Sequence, residues 1–269
     1  MRSACALVFG VLASTGASDA GAHDYWIEPG TFRPTVGQSV SMRLLVGEHL
    51  REEEERTFER AKFSAIDLWS PSGKRTLLGE LAEGTKPFAR LSFDRPGTYL
   101  LTTERPPQTI TLDAAKFEAY LREEGLESIV LQRAARGESA SPGRERYTRY
   151  LKAWMRASGS PSDLHARPIG QRLEILVDTD PTTFGWGSAL SVRVLFEGKP
   201  LPAARVEFLV RDGPTVAIQS QMTSTAGAAT FLAFPGTAIV RLVHMRRCSG
   251  CTDADWESFW ASYALGIAP

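Results

Sequence analysis

Four histidines follow residue 22, at 23, 49, 165 and 244, and the first of them offers the most chemistry. If an export signal is cut after Ala22, His23 becomes the amino terminus and carries an imidazole and a free α-amine on one residue. The two groups can chelate a single ion, as in histidine-brace sites, and one further imidazole would complete the set. An α-amine with an ordinary pKa of about 7.7–8.0 yields its proton to a metal near neutral pH. Nitrogen donors of this kind suit Cu(II), Ni(II) and Zn(II), with raw affinity favouring copper. The other reading of His23 is a terminus without a role, which Trp26 could tie down.

His244 and His49 are the candidates for the further imidazole, with Glu48 and Glu28 as oxygen donors. His244 shares strand parity with Val240 and Leu242, so a hydrogen-bonded core histidine is the alternative. His165 reads as a solvated linker residue. Cys248 and Cys251 are two thiols in an oxidising compartment, and a disulfide closing a tight loop is the expectation. The spacing His244-x3-Cys248-x2-Cys251 leaves a soft-metal site open, whereas Thr252 stands where a c-type haem site needs histidine. Trp26, Trp256 and Trp260, with Phe259 and Tyr263 beside the last two, could line a ligand surface or pack a final strand into the core. The run Glu52–Glu55 reads as a solvated loop that could also concentrate cations.

The elements that must position these residues are mainly strands. Val40, Met42, Leu44 and Val46 alternate with polar residues, which predicts a half-buried strand over 38–46. Further strands are expected at 64–69, 75–81, 88–93 and 98–103, separated by Pro71-Ser72-Gly73, Gly84 and Pro96-Gly97. Phe117, Tyr120 and Leu121, and then Tyr147, Tyr150, Leu151 and Trp154, recur at helical spacing, so a helical insert is expected over 113–157. A Gly-, Ser- and Pro-containing linker covers 158–170. Seven strands follow, at 173–177, 189–196, 205–211, 216–222, 228–234, 238–245 and 258–265. The chain therefore reads as a mainly β protein of two β-sandwich modules, 23–112 and 171–269, the second immunoglobulin- or transthyretin-like.

Arg2, the apolar run Ala4–Leu12 and Ala20-Gly21-Ala22 follow one another in the order of a secretory signal peptide over 1–22, which predicts a periplasmic location. Cys5 lies inside that apolar run and lacks the context of a lipid-modified cysteine. The 31 basic and 31 acidic residues balance, and cleavage removes one of each, Arg2 and Asp19, so no basic footprint for nucleic acid exists. No later stretch approaches the roughly 20 apolar residues of a membrane span, so none is expected in the mature chain. Gly-x-Ser-x-Gly, phosphate-loop and His-Glu-x-x-His patterns are absent; an ordinary hydrolase is not expected and no catalytic residue is assigned.

The opening Ala22-His23-Asp24-Tyr25-Trp26-Ile27-Glu28-Pro29 resembles the start of the mature domain in a bacterial periplasmic family described as nickel/cobalt-uptake-associated proteins of unknown function. Val46-Gly47-Glu48-His49, the segment 143–151, Gly198-Lys199-Pro200-Leu201, Val240–Met245 and Asp255-Trp256-Glu257-Ser258-Phe259-Trp260 are similar too. The resemblance implies a second half similar to carboxypeptidase-regulatory-like modules and a link to transition-metal uptake. The expectation is a periplasmic accessory protein that binds a divalent ion (nickel, cobalt or copper) at His23 with His244 or His49, for an inner- or outer-membrane uptake system. Two alternatives stand beside it. One is a non-catalytic β-sandwich module that binds an envelope protein or a glycan; the other is a histidine-brace copper oxidase.

Overall fold

A computed structural model describes residues 23–159 and 162–268; the export signal expected over 1–22 lies outside them. The first half contains β1 (Asp24–Pro29), β2 (Ser39–Glu48), β3 (Arg51–Arg56), β4 (Ala65–Ser70), β5 (Gly73–Thr76), β6 (Ala89–Ser92), β7 (Gly97–Glu104) and β8 (Gln108–Leu112). Two helices, α1 (Ala114–Glu123) and α2 (Glu127–Ala135), precede β9 (Gly143–Ala157). The second half contains β10 (Leu173–Val177), β11 (Ala189–Phe196), β12 (Lys199–Pro200), β13 (Arg205–Asp212), β14 (Thr215–Met222), β15 (Ala228–Leu232), β16 (Gly236–Arg247) and β17 (Trp256–Ile267). The protein is mainly β with two short helices, and among the described residues no helix is long and apolar enough to cross a membrane.

A nine-stranded sheet in the order β14-β13-β16-β17-β9-β7-β4-β5, with β8 beside β9, runs through both halves of the chain. Its midpoint is the parallel pairing of β9 with β17, from Glu145 opposite Trp256 to Ala153 opposite Ala264. Alternate residues of β9 serve different layers. Leu151, Ala153, Met155 and Ala157 join the core under the four-stranded sheet of β1, β2, β3 and β6. Tyr150 and Trp154 join the core under the sheet of β10, β11, β12 and β15. The two expected sandwiches thus share their middle layer.

That sharing corrects one sequence expectation. Residues 143–157 form a 15-residue strand, not the second half of a helical insert. A strand covered on both faces has no reason to alternate apolar with polar, so its period of two is lost, and Tyr147, Tyr150, Leu151 and Trp154 fall at helical spacing by composition alone. The helical reading holds only for the first part. Asp113 caps α1 by accepting from the Lys116 amide at 2.9 Å, and Phe117, Tyr120 and Leu121 pack with Val243, Met245, Trp256 and Trp260 against the central sheet. Each such buried side chain contributes roughly 1.5–3 kcal/mol. Gly143 is required here, because a Cβ would lie 2.2 Å from the Phe117 ring.

The linker is corrected as well: it is packed rather than solvated. Leu164 and His165 are buried, and the His165 ring Nδ1 lies 2.6 Å from the Val177 carbonyl oxygen. Farther along, Glu174 accepts from the amides of Ile169 and Gly170 and from Lys152 Nζ at 2.7 Å; Lys152 also donates to the Ile175 carbonyl. Both charged side chains are 2% exposed. Burial brings the Lys152 ammonium down to about 8, opposed by the Glu174 carboxylate.

A buried ion pair is costly to half-remove. Lys152→Met should lower unfolding free energy by about 3–5 kcal/mol, since it strands the Glu174 carboxylate in the core. Adding Glu174→Gln should restore part of that loss, as the amide oxygen can still accept from Ile169 and Gly170. Urea midpoints of the three proteins check both statements. Equal stability of Lys152→Met and wild type would show that the pair does not fasten the linker.

Candidate functional site

The strands β2 and β3 join through a two-residue hairpin in which Glu48 pairs with Arg51, and His49 and Leu50 take positive φ values of 51° and 60°. Both central residues of such a turn need that conformation, which neither His nor Leu favours. The turn is held by what Leu50 does. Its side chain is fully buried and its carbonyl accepts from Arg211 Nη1 at 3.1 Å. Just before the turn the register slips: Val46 faces Glu54, Gly47 faces Glu52, and Glu53 is left as the extra residue of a β-bulge. Only glycine fits at the slip, since a Cβ on Gly47 would stand 1.9 Å from the Arg51 carbonyl oxygen.

The bulge turns Glu53 toward the start of β1. His23 Nε2 lies 3.5 Å from Glu53 Oε2 and 3.6 Å from Glu48 Oε1, and one donor atom from each of the three residues falls within 4.8 Å of the others. Two metal bonds of about 2.1 Å at a near-tetrahedral angle place their ligand atoms about 3.5 Å apart. The spacing of imidazole and carboxylates therefore suits one shared divalent ion. The side chains are 28%, 52% and 49% exposed, which leaves room for water ligands and for exchange. The nitrogen facing the carboxylates is Nε2. A chelate with the residue's own α-amine uses Nδ1, so the histidine-brace arrangement and the one seen here are different ring orientations of the same residue.

What fixes β1 in place is the residue after His23. Asp24 pairs with Arg241 of β16, and the same guanidinium reaches Glu124 at 2.6 Å and Glu207 at 3.0 Å. Burial pushes Asp24 up, with Arg241 opposing, and pushes Glu124 up to about 7. Burial acts on Arg241 in the opposite sense, yet its three carboxylates together hold it above the ordinary guanidinium value. These groups, with Glu48, His49 and Glu123, line a polar cleft of about 100 Å³ beside the His23 cluster. His49 is exposed on that cleft's rim, not in the three-residue cluster.

Several sequence candidates lie elsewhere. His244 has the opposite strand parity to Arg241 and faces the other layer of the central sheet, 4.5 Å from the Phe196 ring and 6.2 Å from that of Phe259. Burial, with Arg246 beside it, takes its imidazole down to about 4, so it is a neutral ring in an aromatic setting and does not meet His23. Glu28 accepts from Trp26 Nε1 at 3.1 Å and pairs with Arg211 at 2.7 Å, which makes it a brace for β1 and not a donor at the cluster. Trp26, Trp256 and Trp260 are 0%, 1% and 6% exposed, so the ligand-surface reading is corrected: they are core. Cys248 and Cys251 form a disulfide with Cα atoms 5.8 Å apart, which removes the soft-metal alternative for this loop. Residues 52–55 lie in an edge strand, not a loop. Glu53 is the site residue that sequence reasoning did not single out; a glycine within a strand pattern, opposite four consecutive glutamates, is the signal that a bulge would aim one of them.

Two outcomes follow from this geometry. Gly47→Ala should cost about 1–3 kcal/mol, the usual penalty for forcing atoms into a filled space, read from a urea midpoint. For His244 the sign is set by its lowered pKa: the unfolded chain takes up a proton near 6.5 that the folded chain refuses until about 4, so stability is lost as pH falls through that window. His244→Gln should remove about 1–2 kcal/mol of the wild-type loss between pH 7 and 4.5, after allowance for solvent screening at 1.36 kcal/mol per pKa unit. Parallel pH profiles would show that the ring titrates normally.

No curated protein matches the chain. Among solved structures it is similar to the human OSCAR ligand-binding domain, with 14% identity over 92% of this chain and 100% of that one, at a TM-score of 0.21. It is also similar to a tetra-tandem repeat in the extending region of a large adhesion protein, with 14% identity over 91% of this chain and 49% of that one, again at 0.21. Scores this low carry no argument about function. The family described as Domain of unknown function (DUF4198) matches residues 20–246, a span that takes in His23, Glu48, Glu53 and Arg241 and ends before the Asp255–Trp260 segment. The chain belongs to that family.

Proposed function

We propose that the protein is a non-catalytic periplasmic accessory protein that binds one divalent transition-metal ion (nickel, cobalt or copper) and hands it on for uptake. The observation that carries the reading is the convergence of His23 Nε2 with Glu48 and Glu53 at metal-ligand separations. One imidazole and two carboxylates leave coordination positions for water or for a partner's ligands, which suits transfer more than permanent storage. The half-exposed position serves the same end. In a mature chain beginning at His23, the α-amine lies on the same residue and offers a second mode of binding through Nδ1. The resemblance to nickel/cobalt-uptake-associated proteins, and the leader-like residues 1–22, agree with this role and location.

Calorimetric titration of copper and nickel into natively exported protein, with intact mass verifying His23 as the first residue, tests the proposal. One ion per chain is expected, with affinity at least tenfold lower in His23→Ala and in Glu53→Gln, about 1.4 kcal/mol or more for each. An added N-terminal alanine separates the two modes: a loss near a hundredfold makes the amine a ligand, while unchanged affinity leaves His23, Glu48 and Glu53 as the set. Binding indifferent to both substitutions overturns the proposal.

A further inference from the structure

Away from the metal cluster, the residues around Tyr25 gather more positive charge than acid. The Tyr25 ring has the guanidinium of Arg149 4.2 Å from its centroid and that of Arg105 4.9 Å from it. Arg56 and Lys62 stand with Arg105 and Tyr25 around a cleft of about 20 Å³, where Glu59 is the one acid in the lining. Glu54 pairs with Arg56 and Glu59 with Lys62, but among the described residues neither Arg105 nor Arg149 makes an ion pair. Arg149 is 2% exposed, and its Nε and Nη1 have no hydrogen-bond partner; the Arg56 Nε is likewise buried and unpartnered. Glu145, on the same face of β9, and Asp24 both act on Arg149 without an ion pair to it; the Glu145 Oε1 accepts instead from Tyr120 and Ser258.

Burying a guanidinium without an ion-pair partner is unfavourable, and three aromatic faces, those of Tyr25, Tyr147 and Trp260, offset only part of that cost for Arg149. Arg149 stands over the Tyr25 ring, outside the cleft's lining, where its charge adds to that of Arg105. Arg105 Nε donates to the Lys62 carbonyl at 3.3 Å, so an anion placed there would meet the rest of the Arg105 guanidinium together with Arg56 and the Lys62 ammonium, in competition with Glu54 and Glu59. The cleft admits one or two oxygen-sized atoms, so the anion enters end-on with the rest of its molecule in solvent. We infer that the cleft formed by Tyr25, Arg56, Lys62 and Arg105 is an oxyanion-binding site, built for a terminal carboxylate or a small inorganic oxyanion. It does not rest on the metal site.

The test uses metal-free mature protein titrated with sodium acetate and with sodium sulfate at constant ionic strength, followed by thermal midpoint and by calorimetry, with sodium chloride as the reference. Saturable binding of at least one oxyanion is expected. It should be weakened at least tenfold in Arg105→Met, and in Arg56→Gln if Arg105→Met fails to fold. Acetate bound in preference to sulfate assigns the site to carboxylates; the reverse assigns it to inorganic oxyanions. A response no different from chloride, or oxyanion binding unchanged in a folded variant, overturns the inference. Because no metal is present, neither result bears on the His23 cluster.

Discussion

Arg241 is the interaction on which the site depends. Its guanidinium gathers Asp24 from β1, Glu124 from the end of α1 and Glu207 from β13, so three separate stretches of chain converge on one buried cation. A charge buried this deeply is tolerable only when it is paired and hydrogen-bonded, and each carboxylate in turn needs the cation. The cluster therefore acts as one unit: removing Arg241 would leave three acids together beneath β1. Since Asp24 is held here, the preceding His23 is delivered to the same corner of the molecule as the β2–β3 hairpin.

The hairpin completes the delivery by a different means. Its turn places His49 and Leu50 in a backbone conformation they do not favour, and the burial of Leu50 and its bond to Arg211 keep it there. The bulge at Gly47 then leaves Glu53 without a cross-strand partner, free to face His23. A rigid buried anchor and a locally strained hairpin thus converge on the exposed group His23, Glu48 and Glu53. That combination fits the proposed metal site, whose donors would be held in place yet open to solvent.

Much of this was legible in the residues, because most strands here are covered on one face and alternate accordingly. Seven of the eight strands of the second half fall where the sequence places them, with ends moved by at most two residues, and the short β12 stands where the sequence places a turn. β9 is illegible for the opposite reason: with a layer on each side it buries Arg149, Tyr150, Leu151 and Lys152 in succession, without a readable period. At the site, the sequence marks His23 and Glu48 by type and position. Glu53 is not marked, because which of four adjacent glutamates points inward is decided by a register slip and not by composition. His244 looked eligible on type alone. Its parity, opposite to that of Arg241, sends it to the far layer, a fact that depends on which strands flank β16.

The account's central claim is that His23, Glu48 and Glu53 share one divalent ion. Diffraction from crystals of the mature protein soaked with copper or nickel, collected on both sides of the metal's absorption edge, tests it most directly. The account predicts a single anomalous peak about 2.1 Å from the His23 imidazole, with a carboxylate oxygen from Glu48 and one from Glu53 in its coordination shell. No peak at that corner, or a peak at His165 or His244 in its place, would contradict it.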